Sequence, residues 1–171
     1  MSLQAALLRG VNLGSRKVIM TELRAVCEGA GFTDVKTLLA SGNVVLNAKL
    51  KGEALERKLE AEILKGLGLK TEVFVRSHAE LEAIIAANPF KAFAKKDPSH
   101  FVVFFMRAAL SAAEKAAIEA NQGPEELKPG KGCLYVTFPA GQARTKIKLP
   151  KLGTARNWNT VTKLAALTAG E

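Results

Sequence analysis

The sequence predicts an α+β protein of duplicated ferredoxin-like architecture: two β-α-β-β-α halves, each an antiparallel sheet with its helices on one face. Two observations carry that prediction. Apolar periodicity runs strand, helix, strand, strand, helix, strand through the first 76 residues, and after a basic stretch the strand-helix-strand-strand pattern restarts at His100 without detectable sequence identity between the halves.

Residues 3–9 (LQAALLR) read as a short buried strand that breaks into a glycine loop. A helix follows, with Leu23, Val26, Cys27 and Ala30 on one stripe; Thr21 is its candidate N-cap, and Gly31-Phe32 a left-handed C-cap with its hydrophobic contact. Residues 35–39 and 44–46 are β-rich and flank Ala40-Ser41-Gly42-Asn43, which predicts a hairpin. Leu55, Leu59 and Ile63 mark a second helix ending near Gly66-Leu67-Gly68, and Leu69, Thr71, Val73 and Val75 alternate with Lys70, Glu72, Phe74 and Arg76 as a half-exposed strand.

Ser77 and Glu80 have capping-box spacing ahead of a helix that turns Leu81, Ile84 and Ile85 inward and stops at Asn88-Pro89. A basic loop covers 91–98. The restart brings a strand at 100–107 (HFVVFFMR), a capping box at Ser111 and Glu114, an alanine-rich helix to Asn121 and a break at Gly123-Pro124. A short strand at 126–128, a PGKG turn, a strand at 133–138, a basic irregular stretch at 141–150 and a final helix over 154–167 complete the chain. The expected organisation is therefore a first half (1–76), a linking helix with a basic loop (77–99), and a second half with a C-terminal helix (100–171).

Charge is unevenly distributed. The chain of 171 residues carries a formal +9, and from Leu127 to Gly170 there is no Asp or Glu against eight Lys and Arg. Such an excess suits an anionic partner, a small molecule or a nucleic acid. Cys27 and Cys133 are far apart in sequence, each in an apolar pattern where buried thiols are usual, which fits a reducing cytoplasm. The amino-terminal MSLQAALLRG lacks a basic n-region, and no apolar run approaches the roughly 20 residues that cross a bilayer, so no membrane association is expected. The sequence carries no indication of oligomeric state.

Three polar motifs are candidates for binding. Arg9-Gly10-x-Asn12-x-Gly14 bares backbone at two glycines and is followed by Arg16, Lys17 and a helix start, where amides and dipole favour an anion. It matches neither the dinucleotide fingerprint nor the P-loop, and a plain strand-to-helix turn would use the same glycines. Ser41-Gly42-Asn43 serves equally as a hairpin turn. Arg156-Asn157-Trp158-Asn159-Thr160 is read as a helix start, where a cap alone does not require an Arg, two Asn and the only Trp; Arg156 and the asparagines are fixed donors for a phosphate, carboxylate or base edge, and Trp158 is also a natural core residue. Arg144 and Lys146 of the basic stretch join this candidate site.

The stretches LLRGVNLGSRKVIMTELR, TLLASGNVVLN and ARTKIKLPKLGTARNWNTVTKL together resemble the opening, middle and closing motifs of a bacterial family, domain of unknown function 1697. The resemblance runs from about Leu3 to Leu167. It implies two ferredoxin-like halves and brings no activity with it. Ser15, Leu38 and Thr145-Lys146-Ile147 depart from the commoner residues of those motifs.

No catalytic constellation stands out: Asp34 and Asp97 read as loop or turn residues, nearly all Glu fall on polar helix faces, and neither His78 nor His100 has metal-ligand spacing. No metal or cofactor is expected and no reaction is assigned. Residues 131–138 (KGCLYVTF) follow the RNP1 pattern at Lys, Gly, Tyr, Val and Phe, with Cys133 in place of one stacking aromatic. The function expected is binding of an anionic, phosphate-bearing ligand in a basic crevice where the loop after the first strand, the Ser-Gly-Asn turn and the Arg-Asn-Trp block meet. An RNA or single-stranded nucleic-acid binding module is one alternative, and an enzyme acting on a phosphorylated substrate another.

Overall fold

Strand and helix order along the chain is β1 (Ser2–Leu8), α1 (Met20–Gly29), β2 (Thr33–Leu38), β3 (Asn43–Ala48), α2 (Gly52–Leu67), β4 (Val73–Ser77), α3 (His78–Ala86), α4 (Lys91–Lys96), β5 (Phe101–Met106), α5 (Ala112–Glu119), β6 (Leu127–Gly130), β7 (Cys133–Thr137), β8 (Gly153–Asn157) and α6 (Trp158–Thr168). The computed structural model describes residues 2–11, 17–38, 42–142 and 145–170. The strands form two four-stranded antiparallel sheets, ordered β2-β3-β1-β4 and β6-β7-β5-β8. The chain divides into two compact units, Met1–Leu81 with Leu164–Glu171, and Glu82–Lys163.

In the first unit one face of the sheet presents Ala6, Leu8, Val44, Leu46, Val73 and Val75 to Leu23 and Cys27 of α1 and to Leu55, Leu59 and Ile63 of α2. The i, i+4, i+8 spacing of the α2 leucines and isoleucine puts them on one stripe, which is why that helix lies on the sheet. Gly31 at φ 95 ends α1, with Phe32 N–H donating to Cys27 O at 3.2 Å, the C-cap that the Gly-Phe pair predicts. Its N-cap is Ile19, without a capping side chain, and not Thr21, which lies inside the first turn. Ser77 and Glu80 exchange side-chain to backbone bonds of 2.9 and 3.1 Å at the start of α3, as their spacing predicts. Where the alternation over 69–76 predicts a half-exposed strand, Val73, Phe74, Val75 and Arg76 of β4 are all buried, while Lys70 ahead of it is exposed. β4 is an edge strand whose free side is met by α2: the Glu60 and Glu56 carboxylates accept the outward amides of Val73 and Val75, each at 2.8 Å.

In the second unit β5 is apolar at all six positions and buried at all six, so both faces of its sheet need cover. One face packs Val102, Phe104, Met106, Leu134, Val136 and Phe138 with Ile118 of α5 and with Ile147 and Leu149. On the other, Phe101 meets Phe90, Phe93 and Trp158 and stacks with Tyr135, whose hydroxyl donates to the Ile84 carbonyl at 2.6 Å. Helices on one face only, as the sequence pattern predicts, is thus corrected for this sheet, since α3, α4 and α6 supply these partners. Two further differences concern local pattern. The basic loop expected after Asn88 contains α4, and the first part of the expected final helix is β8, whose residues pair with β5 from Val102↔Asn157 to Met106↔Gly153. The capping box at Ser111 and Glu114 forms as its spacing predicts.

Candidate functional site

The first polar motif begins where β1 leaves its sheet. Arg9 N–H donates to Glu72 O at 3.0 Å, Thr71 Oγ1 donates to Arg9 O at 2.7 Å, and the Arg9 guanidinium lies 3.4 Å from the Glu72 carboxylate. These bonds fix the backbone at Arg9 and partly neutralise its charge. Gly10 then turns the chain at φ 65, a conformation that favours glycine, and Val11 folds inward. The second motif begins at the neighbouring end of β3, because β1 pairs with β3 in register. Leu8 N–H donates to Gly42 O at 2.9 Å, and Gly42, at φ 84, lies beneath Val11.

Asn43 serves the turn: it is fully buried, and its Nδ2 donates to Leu38 O at 2.9 Å across the β2–β3 hairpin. Asn12, Gly14 and Ser41 lie outside the described residues, as does Arg144. The structure therefore brings Arg9, Gly10, Gly42 and Asn43 to one end of the first sheet; Lys17, ahead of α1, is exposed. Thr71 and Glu72, which hold Arg9, were not singled out from the sequence; only the β1–β4 pairing brings them there.

The third motif belongs to the second unit and is built differently from the expected helix start. Arg156 is a strand residue on β8 opposite Val103, buried, with Nη1 donating to Thr154 Oγ1 at 2.6 Å and to Ala155 O at 2.8 Å. Burial pulls its pKa down to about 10, so it remains a cation at neutral pH. Asn157 is the cap of α6, its Oδ1 accepting from Thr160 N–H at 3.0 Å. Trp158 is half-buried with its ring centroid 5.0 Å from that of Phe101, while Asn159 and Lys146 are exposed. Thr154 is the residue that the sequence gives no reason to select, since its role depends on the strand alternation of β8.

The RNP1-like stretch offers no platform for bases. Cys133 to Thr137 are all buried, and the Tyr135 ring is covered by Phe101 with its hydroxyl engaged. Among the described residues no group of three His, Cys, Asp or Glu is disposed to hold a metal ion. Glu56 departs from the polar helix faces on which nearly all Glu are expected, being buried against the β4 edge. No helix among the described residues is long and apolar enough to cross a membrane.

Fold and motifs together define a class of α+β protein with two antiparallel four-stranded sheets and glycine-bearing polar loops at strand ends. Residues 1–135 match a family described as protein of unknown function, DUF1697, and the chain belongs to that family. The match ends at Tyr135, before the Arg-Asn-Trp block. Among solved structures, a conserved bacterial protein from Streptococcus pneumoniae is similar over 99% of both chains, with 23% identity and a TM-score of 0.80, a likeness of fold. No curated protein matches the chain.

Proposed function

We propose that the protein binds an anionic, phosphate-bearing ligand at the end of the first sheet, where Arg9 and Gly10, which follow β1, come next to Gly42, which precedes β3. The carrying observation is the Leu8 N–H to Gly42 O bond of 2.9 Å, which joins two glycine-bearing segments at one place. Three features support an anion there. Gly10, at φ 65, has no side chain of its own to shield the backbone where the chain leaves β1. The first turn of α1 has no capping side chain, so its amides and the helix dipole favour negative charge. Arg9 and Lys17 supply cations. We further propose that each unit is ferredoxin-like and that the second arose by duplication of the first, since the two sheets share one strand order.

Thermal-shift titration with inorganic phosphate, pyrophosphate and mononucleotides tests the binding. At least one phosphate compound should raise the melting temperature of the wild type, and the Arg9→Gln/Lys17→Gln variant should lose that rise. A small-ligand site keeps much of its affinity at high salt, whereas nucleic-acid binding falls steeply with salt. Equal stabilisation of wild type and variant would overturn the proposal.

A further inference from the structure

The first unit fills the connection between its third and fourth strands with a helix, and the second unit does not. In the first, α2 closes on α1 so tightly that a Cβ on Gly66 would stand 2.7 Å from Val26 Cγ2. In the second, residues 145–150 cross the core as irregular chain, with Ile147 and Leu149 packed on it. Alternation turns the neighbouring Lys146 and Lys148 outward, and both are exposed. An extended chain is about half as wide as a helix of roughly 10 Å. So α5, unlike α1, is left without full cover: α1 buries Leu23 and Cys27, while no residue of α5 is fully buried.

A groove of about 500 Å³ lies beside the end of α5. Partly buried Ile118, Leu127 and Ile147 give it an apolar side, and exposed Gln122, Lys146 and Lys148 a polar one. Its single carboxylate, Glu125, is buried and turned against Gly123, and neither lysine has an ion-pair partner among the described residues. The volume is that of a small-molecule site. We propose that this groove binds a small amphipathic anion, its apolar body against Ile118, Leu127 and Ile147 and its carboxylate or phosphate head between Lys146 and Lys148. Neither a bare anion nor a neutral apolar molecule satisfies both sides. The site is separate from the one at Arg9 and stands or falls independently of it.

Amide-resolved NMR titration of the full chain with octanoate, octyl phosphate, octanol and acetate tests the proposal. Octanoate or octyl phosphate should shift the amides of Ile118, Gln122, Leu127 and Ile147, whichever of the two binds more tightly naming the head group. Octanol and acetate should bind at least about ten-fold more weakly, since each loses one half of the recognition. Lys146→Glu/Lys148→Glu should weaken the preferred compound by a similar factor, and Ala117→Trp, which fills the groove, should do the same through a different residue. Lys163→Glu on the exposed side of α6 should leave its affinity unchanged. Octanol binding as tightly as the anions, shifts confined to other parts of the chain, or equal losses in Lys163→Glu would each overturn it.

Discussion

Gly42 lies beneath Val11: a Cβ built on Gly42 would stand 2.4 Å from Val11 Cγ2 and 3.1 Å from Leu8 Cβ. Two restrictions coincide at this position, since Gly42 also has φ 84. Gly42→Ala should therefore destabilise the protein by about 2 kcal/mol or more, combining left-handed strain with overpacking. Val11→Ala in the same chain removes the steric part and leaves the backbone part. Denaturant unfolding of the two single variants and the double variant measures this; additive losses would show that Gly42 and Val11 do not constrain each other.

Glu56 and Val75 make a second pair with a measurable consequence. The carboxylate is buried and accepts the outward amide of an edge strand. Removing it leaves that amide without water or acceptor, so Glu56→Ala should cost about 1–3 kcal/mol, and Glu56→Gln, which keeps an acceptor oxygen, clearly less. Hydrogen exchange at Val75 gives the local readout: the amide should exchange faster in Glu56→Ala than in Glu56→Gln. Equal rates would assign its protection to something other than the carboxylate.

Much of the fold was legible because apolar period changes with element type. Leu55, Leu59 and Ile63 could only be a helix stripe, and Ser111 with Glu114 announced a helix start that formed. The losses have a shared physical origin in long-range pairing. GTARN carries no apolar run and becomes strand β8 because β5 hydrogen-bonds it; Phe74 and Arg76 looked exposed because alternation does not say whether a second face is covered. Of the three motifs that the sequence reading gathers into one crevice, the start of the first loop and Gly42 are joined by the Leu8–Gly42 bond, which follows from β1 lying beside β3. Arg9's anchors were not legible, because Thr71 and Glu72 are 62 and 63 residues away in sequence.

Cys27 gives a pH dependence whose sign can be worked out. Burial, with a smaller contribution from Glu28, raises its pKa to about 12 from an ordinary 9.0. Between those values the folded chain keeps the thiol proton and the unfolded chain releases it. Stability is thus fully present below the unfolded value and falls as pH rises toward the folded one. Between about pH 8 and about pH 10.5 the unfolding midpoint of wild type should drop further than that of Cys27→Val, which has no proton to lose. Parallel curves would show that the thiol titrates alike in both states. Alkylation of Cys27 by a water-soluble reagent should likewise follow unfolding, the neutral thiol being a poor nucleophile.

Arg156 decides between a framework cation and a ligand seat. Its Nη1 is committed to Thr154 Oγ1 and Ala155 O inside the second unit, and the side chain is 7% exposed. A guanidinium satisfies such divergent acceptors from one planar group, whereas the ammonium of Arg156→Lys on a shorter donor geometry does not. We expect Arg156→Lys and Thr154→Val each to lose about 1–3 kcal/mol of stability, because each leaves a buried polar group short of a partner. The two losses should be less than additive in the double variant, since both break the same 2.6 Å bond. Affinity for phosphate compounds, measured on the folded variants, should change little if Arg156 serves the framework. A variant as stable as the wild type but with affinity lost would make Arg156 part of a ligand seat and would move the proposed anion site away from the end of the first sheet.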